Sequence, residues 1–273
     1  MAQHKRPNAA GNSRTQHRIR RKRGLAIAAV LLIVLLIAAV LLRGNFLGPD
    51  TPVPEEIESY ARRQGISLSS YPEELIELYD KNPETLDFVL HYPENKNRDF
   101  TIDLSEYREC DTVPLLMQWD ERWGYTKYAG ELFGLSGCGP TCLSMVAIYL
   151  TGDTDLTPKA MAEFAVQNGY VSYRNGTSWT LFSEGAEKLG LRATELPLDE
   201  QRIINNLQED IPIVCVMGPG DFTTTGHYIV MTGYEDGEIS VNDPNRRSNS
   251  DRLWTYDRIK DQIRNLWAIQ KAE

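Results

Sequence analysis

Residues 136–146 read Ser-Gly-Cys-Gly-Pro-Thr-Cys-Leu-Ser-Met-Val, and the reading of the whole chain turns on them. Downstream of Pro140, the side chains Cys142, Met145, Val146, Tyr149 and Leu150 recur at helical spacing, so a helix with one buried face is predicted over 140–150. Cys138 then lies at the mouth of that helix. A helix N-terminus presents unpaired N–H groups and partial positive charge, and both favour a thiolate over a thiol. Flanking glycines at 137 and 139 let a substrate backbone come close. These are the conditions for a nucleophilic cysteine; the plain alternative is a small buried thiol.

A thiol nucleophile needs a base, and outside the N-terminal 112 residues His227 is the one histidine. It follows the loop 218–226, Gly-Pro-Gly-Asp-Phe-Thr-Thr-Thr-Gly, and opens an apolar run, Tyr228 to Thr232. The next run ends in Val241-Asn242-Asp243-Pro244-Asn245. Adjacent antiparallel strands joined by a short turn bring such positions within reach, which makes Asp243 the expected acceptor for the His227 ring. Asn242 is the competing orienter, but alternation along a strand sends it to the opposite face. A structural histidine and an Asp-Pro turn opener are the plain alternatives. For an oxyanion, the Cys138 backbone N–H is one candidate donor and the Gln118 amide, in Pro114-Leu115-Leu116-Met117-Gln118, is a second.

Around these residues the elements read helices first and sheet second. Thr157-Pro158 with Met161, Phe164, Ala165 and then Gly169 is a capped helix; another is expected from Ser178 to Gly190, and a third after Asp199 with Ile203, Ile204 and Leu207 on its apolar side. The runs 211–217, 228–232 and 239–241 are β-branched and separated by Gly-Pro-Gly and Glu-Asp-Gly turns, so antiparallel strands are predicted. An α+β domain over 113–273 follows, its long helix packed on the sheet. Ahead of it, 43–112 reads as a Pro/Gly linker and a small helical stalk, with helices over 55–64, after Tyr71-Pro72 and after Asn82-Pro83. His91 in the stalk is expected at the surface. Trp119, Trp123 and Trp179 either line the cleft or fill the core, with the core the expectation for any one of them, and the turn Gly218-Pro219-Gly220 is expected to shape the cleft.

The first 43 residues have a different character. Gly24 to Leu42 is a run of nineteen uncharged, apolar residues, about 28 Å of helix at ~1.5 Å per residue, and reads as a transmembrane helix. The tail 1–23 carries Lys5, Arg6, Arg14, Arg18, Arg20, Arg21, Lys22 and Arg23 and no acid, which places it in the cytoplasm and residue 44 onward outside. The formal charge of −9 conceals this asymmetry: from residue 44 on, 20 basic residues face 38 acidic ones. Such a body repels phosphates, so nucleic acid is excluded as a partner. Four cysteines are too few for a disulfide scaffold; Cys110 and Cys215 are a candidate pair, though three connectivities are open. With no Cys-x-x-Cys and no His-x-x-x-His spacing, no metal and no cofactor is expected.

Together, Gly-Cys-Gly-Pro-Thr-Cys-Leu-Ser-Met-Val, Gly-His-Tyr-Ile-Val-Met-Thr-Gly-Tyr, Val-Asn-Asp-Pro-Asn and the leading Gln-Trp-Asp-Glu-Arg-Trp-Gly resemble the C39-like branch of the papain-like cysteine peptidases, over roughly 113–267. The resemblance implies a papain-like fold, with Cys138 as nucleophile, His227 as base, Asp243 as its orienting carboxylate and Gln118 in the oxyanion site. C39 relatives cut peptides after a double-Gly leader in bacterial exporters, whereas this chain has no ATP-binding cassette and a single apolar span, which leaves its peptide or protein substrate open. The expectation is a membrane-anchored extracytoplasmic thiol hydrolase of a bacterium. An acyl transferase, transpeptidase or cell-wall amidase on the same triad, and a non-catalytic peptide-binding surface domain, are the alternatives.

Overall fold

Alternation along the strands sets the layers. Ile213, Cys215 and Met217 join one buried cluster while Val214 and Val216 join another, and in the neighbouring strand Ile229 and Met231 separate from Tyr228 and Val230 in the same way. A strand buried on both faces needs cover on both, and the helices supply it.

The computed structural model describes residues 52–172 and 176–272. Its main elements are α1 (Glu55–Gln64), α2 (Glu73–Lys81), α3 (Leu86–Asn95), α4 (Cys138–Thr151), α5 (Pro158–Gln167), α6 (Glu184–Lys188), β1 (Leu191–Glu195), α7 (Glu200–Gln208), β2 (Ile213–Met217), β3 (His227–Glu235), β4 (Glu238–Asn242), α8 (Arg247–Ser250) and β5 (Ile263–Lys271). The five strands form one antiparallel sheet in the order β1-β5-β2-β3-β4. Helix α4 covers one face with α5 packed against it, and Leu143, Val146, Met161 and Ala165 share one buried cluster with Val214, Val230 and Trp267. Helix α7 and the chain around Trp254 cover the other, where Ile203 and Leu207 meet Ile213, Ile229 and Ala268.

Capping residues placed the helix starts well. The Thr157 hydroxyl accepts from Ala160 N, and the Asp199 carboxylate accepts from Arg202 N, each at a predicted helix start. The long helix begins two residues earlier than expected, so Cys138 is its first residue. The helix expected over 178–190 is instead a 3-10 turn, Trp179–Leu181, followed by α6, with the break at Phe182-Ser183. Leu181 and Phe182 are both fully buried, Phe182 against the rings of Tyr228 and Trp267. Strands β1 and β5 carry no clear period and were not anticipated; β5 lies between β1 and β2 and gains its burial from them.

From Val53 onward the chain forms one compact unit. Helices α1 to α3 occur where expected, and their apolar faces do not stand apart. Phe88 of α3 stacks on Tyr125, ring centroids 4.5 Å apart, and the Tyr125 hydroxyl donates to the Phe88 carbonyl at 2.8 Å. Side chains at Gly124 and Gly134 would run into the Phe88 ring, so both positions must stay bare. The segment read as a stalk thus shares a core with residues 119–135. The basic tail, the apolar run 24–42 and most of the linker lie outside the described residues; among the described residues, no helix is long and apolar enough to cross a membrane.

If this shared core holds the two parts together, Phe88→Ala in the purified full chain should cost about 3–5 kcal/mol in a denaturant titration, the range for a buried Phe. A loss under about 1 kcal/mol would mean that the segment contributes little to the domain's stability.

Candidate active site

The approach to Cys138 is a single helical turn, Phe133–Ser136, closed by Gly137, whose carbonyl accepts from Thr141 N at 3.0 Å. The first turn of α4 leaves the N–H groups of Cys138 and Gly139 without partners inside the helix, and Pro140 has none to satisfy. The flanking glycines serve the protein's own packing. A Cβ at 137 would enter the Phe133 ring, and one at 139 would enter the Thr177 side chain. Thr177 is itself fixed, its hydroxyl paired with the Tyr128 hydroxyl at 2.8 Å and its carbonyl accepting from the Tyr228 hydroxyl at 3.1 Å. A side chain at either position would therefore clash inside the protein, whatever the glycines also allow a substrate to do. Cys138 stays partly exposed, while Cys142, one turn on, is fully buried and its thiol is pushed up by burial.

His227 is the first residue of β3, paired across from Met217. β3 and β4 pair Val230 with Asn242, and continuing that register puts Asp243 beside the start of β3, diagonal to His227. His227 Nε2 and Asp243 Oδ1 are 2.7 Å apart, with the two side chains 7% and 0% exposed. The Asp243 carboxylate can only accept, so Nε2 donates to it and Nδ1 is the ring nitrogen left for the cleft that His227 and Cys138 line together. Burial alone would lower the His227 pKa, but the Asp243 carboxylate, with a smaller contribution from Cys138, outweighs it and pushes the value up to about 10. Burial likewise acts to raise Asp243, and the His227 charge, the Asn249 amide and the Asn245 N–H overcome it, holding the carboxyl below its usual range.

A fourth residue, Asn249, joins the site. Its Nδ2 donates to Asp243 Oδ2 at 2.7 Å, Asn245 N and Arg246 N donate to Oδ1 at 2.8 and 3.2 Å, and Asp243 N donates to Ser250 Oγ at 2.9 Å. No period or cap in the sequence marks Asn249; only the short helix α8 brings it back to Asp243. Asn242 turns away, donating to the Val113 and Pro114 carbonyls. Gln118 is buried, gives one amide N–H to the Gly134 carbonyl at 2.8 Å, and does not line the cleft; its Oε1 has no protein partner.

The cleft, about 540 Å³, is lined by Cys138, His227, Glu131, Trp179, Thr225 and Gly226 among others. Trp179 was expected in the core and is instead 47% exposed on this wall, packed edge-on to Trp267 at 6.0 Å; Trp123 is fully buried. The loop before His227 shapes the cleft and is tied down by Asp221, which pairs with Arg258 and accepts from Gln262 Nε2 at 2.6 Å. His91 is half-exposed and contacts Glu121 at 2.6 Å. All four cysteines are free. The candidate Cys110–Cys215 pair is thereby corrected: Cys215 is fully buried among residues on the α7 side of the sheet, whereas Cys110 is part-exposed. Among the described residues, no three His, Cys, Asp or Glu side chains group to hold a metal ion.

The profile of the Peptidase_C39 like family matches residues 110–273, more than half of the chain. The chain belongs to this family. Two solved structures are similar to it: the peptidase domain of Streptococcus ComA, a bi-functional ABC transporter involved in quorum sensing, at 18% identity and a TM-score of 0.42, and a Bacillus anthracis protein described as a C39-like peptidase, at 16% and 0.35. The alignments cover 59% of this chain and 99% of the first, and 64% of this chain and 100% of the second. No curated protein matches. The Peptidase_C39 like domain is thus a mixed helix-and-sheet, cysteine-peptidase-like domain.

The buried pair makes a signed prediction. His227 titrates near 10 when folded, against an ordinary value of 6.5, so its stabilising contribution is complete below about pH 6.5 and is lost as pH rises toward 10. The Asp243 contribution is present at neutral pH and is lost only in acid, as pH falls through its depressed folded value. Urea unfolding at pH 6, 8 and 10 should show stability falling with pH in the wild-type chain, and the fall should flatten in His227→Gln. Equal slopes in the two would mean that His227 is not held charged.

Proposed function

We propose that this chain is a cysteine peptidase acting on a peptide or protein substrate through Cys138, His227 and Asp243. The observation that carries the reading is the buried His227–Asp243 contact of 2.7 Å at the edge of a cleft that Cys138 also lines. In this mechanism the Cys138 sulfur, as thiolate, attacks the scissile carbonyl carbon and forms a C–S bond. His227, protonated and held by Asp243, gives its Nδ1 proton to the leaving nitrogen as the C–N bond breaks. Water then attacks the thioester, returns a proton to His227 and releases the acid and the thiolate. The Cys138 N–H at the start of α4 is the oxyanion donor. Gln118, buried off the cleft with one amide N–H on the Gly134 carbonyl, is assigned no step.

The family supports peptidase chemistry and the cleft supports an extended substrate. Localisation rests on residues 1–42: the apolar run 24–42 and the cationic tail before it support a single-pass anchor with the domain on the outer side of a bacterial membrane.

Cys138→Ala and His227→Ala should each abolish cleavage of a peptide library read by mass spectrometry, with the fold retained by circular dichroism. Asp243→Ala should lower kcat by roughly 10²- to 10⁴-fold. Full turnover in either of the first two variants refutes the mechanism. Products capped by an added amine in preference to water would move the reaction to acyl transfer.

A further inference from the structure

Asp243 opens a loop, residues 243–250, and four of the hydrogen bonds that fix that loop from outside come from the helical segment that precedes the family-matched residues 110–273, the others from within the family region, among them Trp254 Nε1 to the Asn249 carbonyl at 2.9 Å. Asn82, 1% exposed between α2 and α3, donates from Nδ2 to the Asn245 carbonyl at 2.5 Å. Glu84 places Oε2 on Arg247 N at 2.6 Å and Oε1 on Ser248 N at 3.0 Å, satisfying the first two N–H groups of α8. In return, Arg246 Nη2 donates to the Lys81 carbonyl at 2.5 Å. From within the family region, Trp119 Nε1 reaches the same Asn245 carbonyl at 2.8 Å, and Gln118 N donates to the Pro244 carbonyl at 2.7 Å.

Asn82 is itself held. Its N–H donates to the Leu78 carbonyl at 2.8 Å, and its carbonyl accepts from the Thr85 hydroxyl at 2.8 Å. The link is rigid at both ends and short: Glu84 caps α8, and α8 carries Asn249 and Ser250, which hold the Asp243 side chain and backbone.

We propose that Asn82 and Glu84 are positioning residues for Asp243, and through it for His227, so that the helical segment outside the family region is a working part of the site. The kinetic half of this inference rests on the peptidase reading above; the geometric half does not. The ionisable groups facing His227 are Asp243 and Cys138, and those facing Asp243 are His227 and the buried Cys142. Glu84 touches none of them, so any effect on His227 must pass through the loop.

The test compares Glu84→Ala, Glu84→Gln and Asn82→Ala in the full chain, with Glu77→Gln as control on the exposed α2 face. Among the described residues, Glu77 pairs with Lys81 at the surface. One readout is kcat and KM on a peptide that the wild type cleaves. The other is the titration midpoint of His227, followed by NMR with labelled histidine; with four histidines in the chain the signals are assignable by substitution. In Glu84→Ala and Asn82→Ala, kcat should fall about 10- to 100-fold, as for a misplaced catalytic group, with KM little changed, and the His227 midpoint should drop by at least half a pH unit. Glu84→Gln keeps one acceptor oxygen and should lose only part of each, and it keeps the test readable if the alanine variants do not fold. Glu77→Gln should match the wild type in both. Folded Glu84 and Asn82 variants with wild-type kcat and an unmoved His227 midpoint overturn the proposal. A wild-type chain that cleaves nothing while the midpoint still drops in Glu84→Ala overturns the peptidase reading and leaves the positioning role standing.

Discussion

A carboxylate without solvent contact dictates much of this molecule. Removing an ion from water costs several kcal/mol even after relaxation, and the cost is met only when the partner charge and the remaining lone pairs are all satisfied. Asp243 meets that condition through four donors: the His227 ring, the Asn249 amide and two backbone N–H groups. Three of the four come from the seven residues that follow it, so the chain must turn back at once after β4. That turn exposes the N–H groups of a one-turn helix and the carbonyl of Asn245, which need partners in their turn. Glu84, Asn82 and Trp119 provide them.

The sheet and the long helix set the other half of the geometry. β3 starts at His227 and α4 starts at Cys138, so both side chains sit at element ends, where they line the cleft. The bare positions Gly137 and Gly139 allow Phe133 and Thr177 to close on either side of the helix start. Thr177 in turn is gripped by Tyr128 and Tyr228, one from before the helix and one from the strand that bears His227. The Cys138 wall and the His227 wall are therefore joined through a single threonine as well as through the core.

The legible features share a local origin. Pro and Gly punctuation marked α1 to α3, side-chain caps marked α5 and α7, and the strand-turn-strand spacing from His227 to Asp243 put the imidazole beside its carboxylate. The other features have no local signature. β5 reads Ile-Arg-Asn-Leu-Trp-Ala-Ile-Gln-Lys, without alternation, because strands on both sides and layers on both faces bury it. Trp179 looked like core and is part of the cleft wall, since the break before α6 turns Phe182 inward in its place. Asn249, Asn82 and Glu84 are ordinary polar residues until the loop folds back upon them.

The chain alone thus determined most of the element types and the order in which Cys138, His227 and Asp243 occur, because these follow from periodicity, capping and side-chain type within a few residues. Tertiary structure alone decided which strand lies next to which, that the two glycines serve packing, and that a segment some 160 residues upstream grips the Asp243 loop. Those outcomes depend on closing long loops and burying polar groups in pairs, and no local stretch of sequence carries the partner's position.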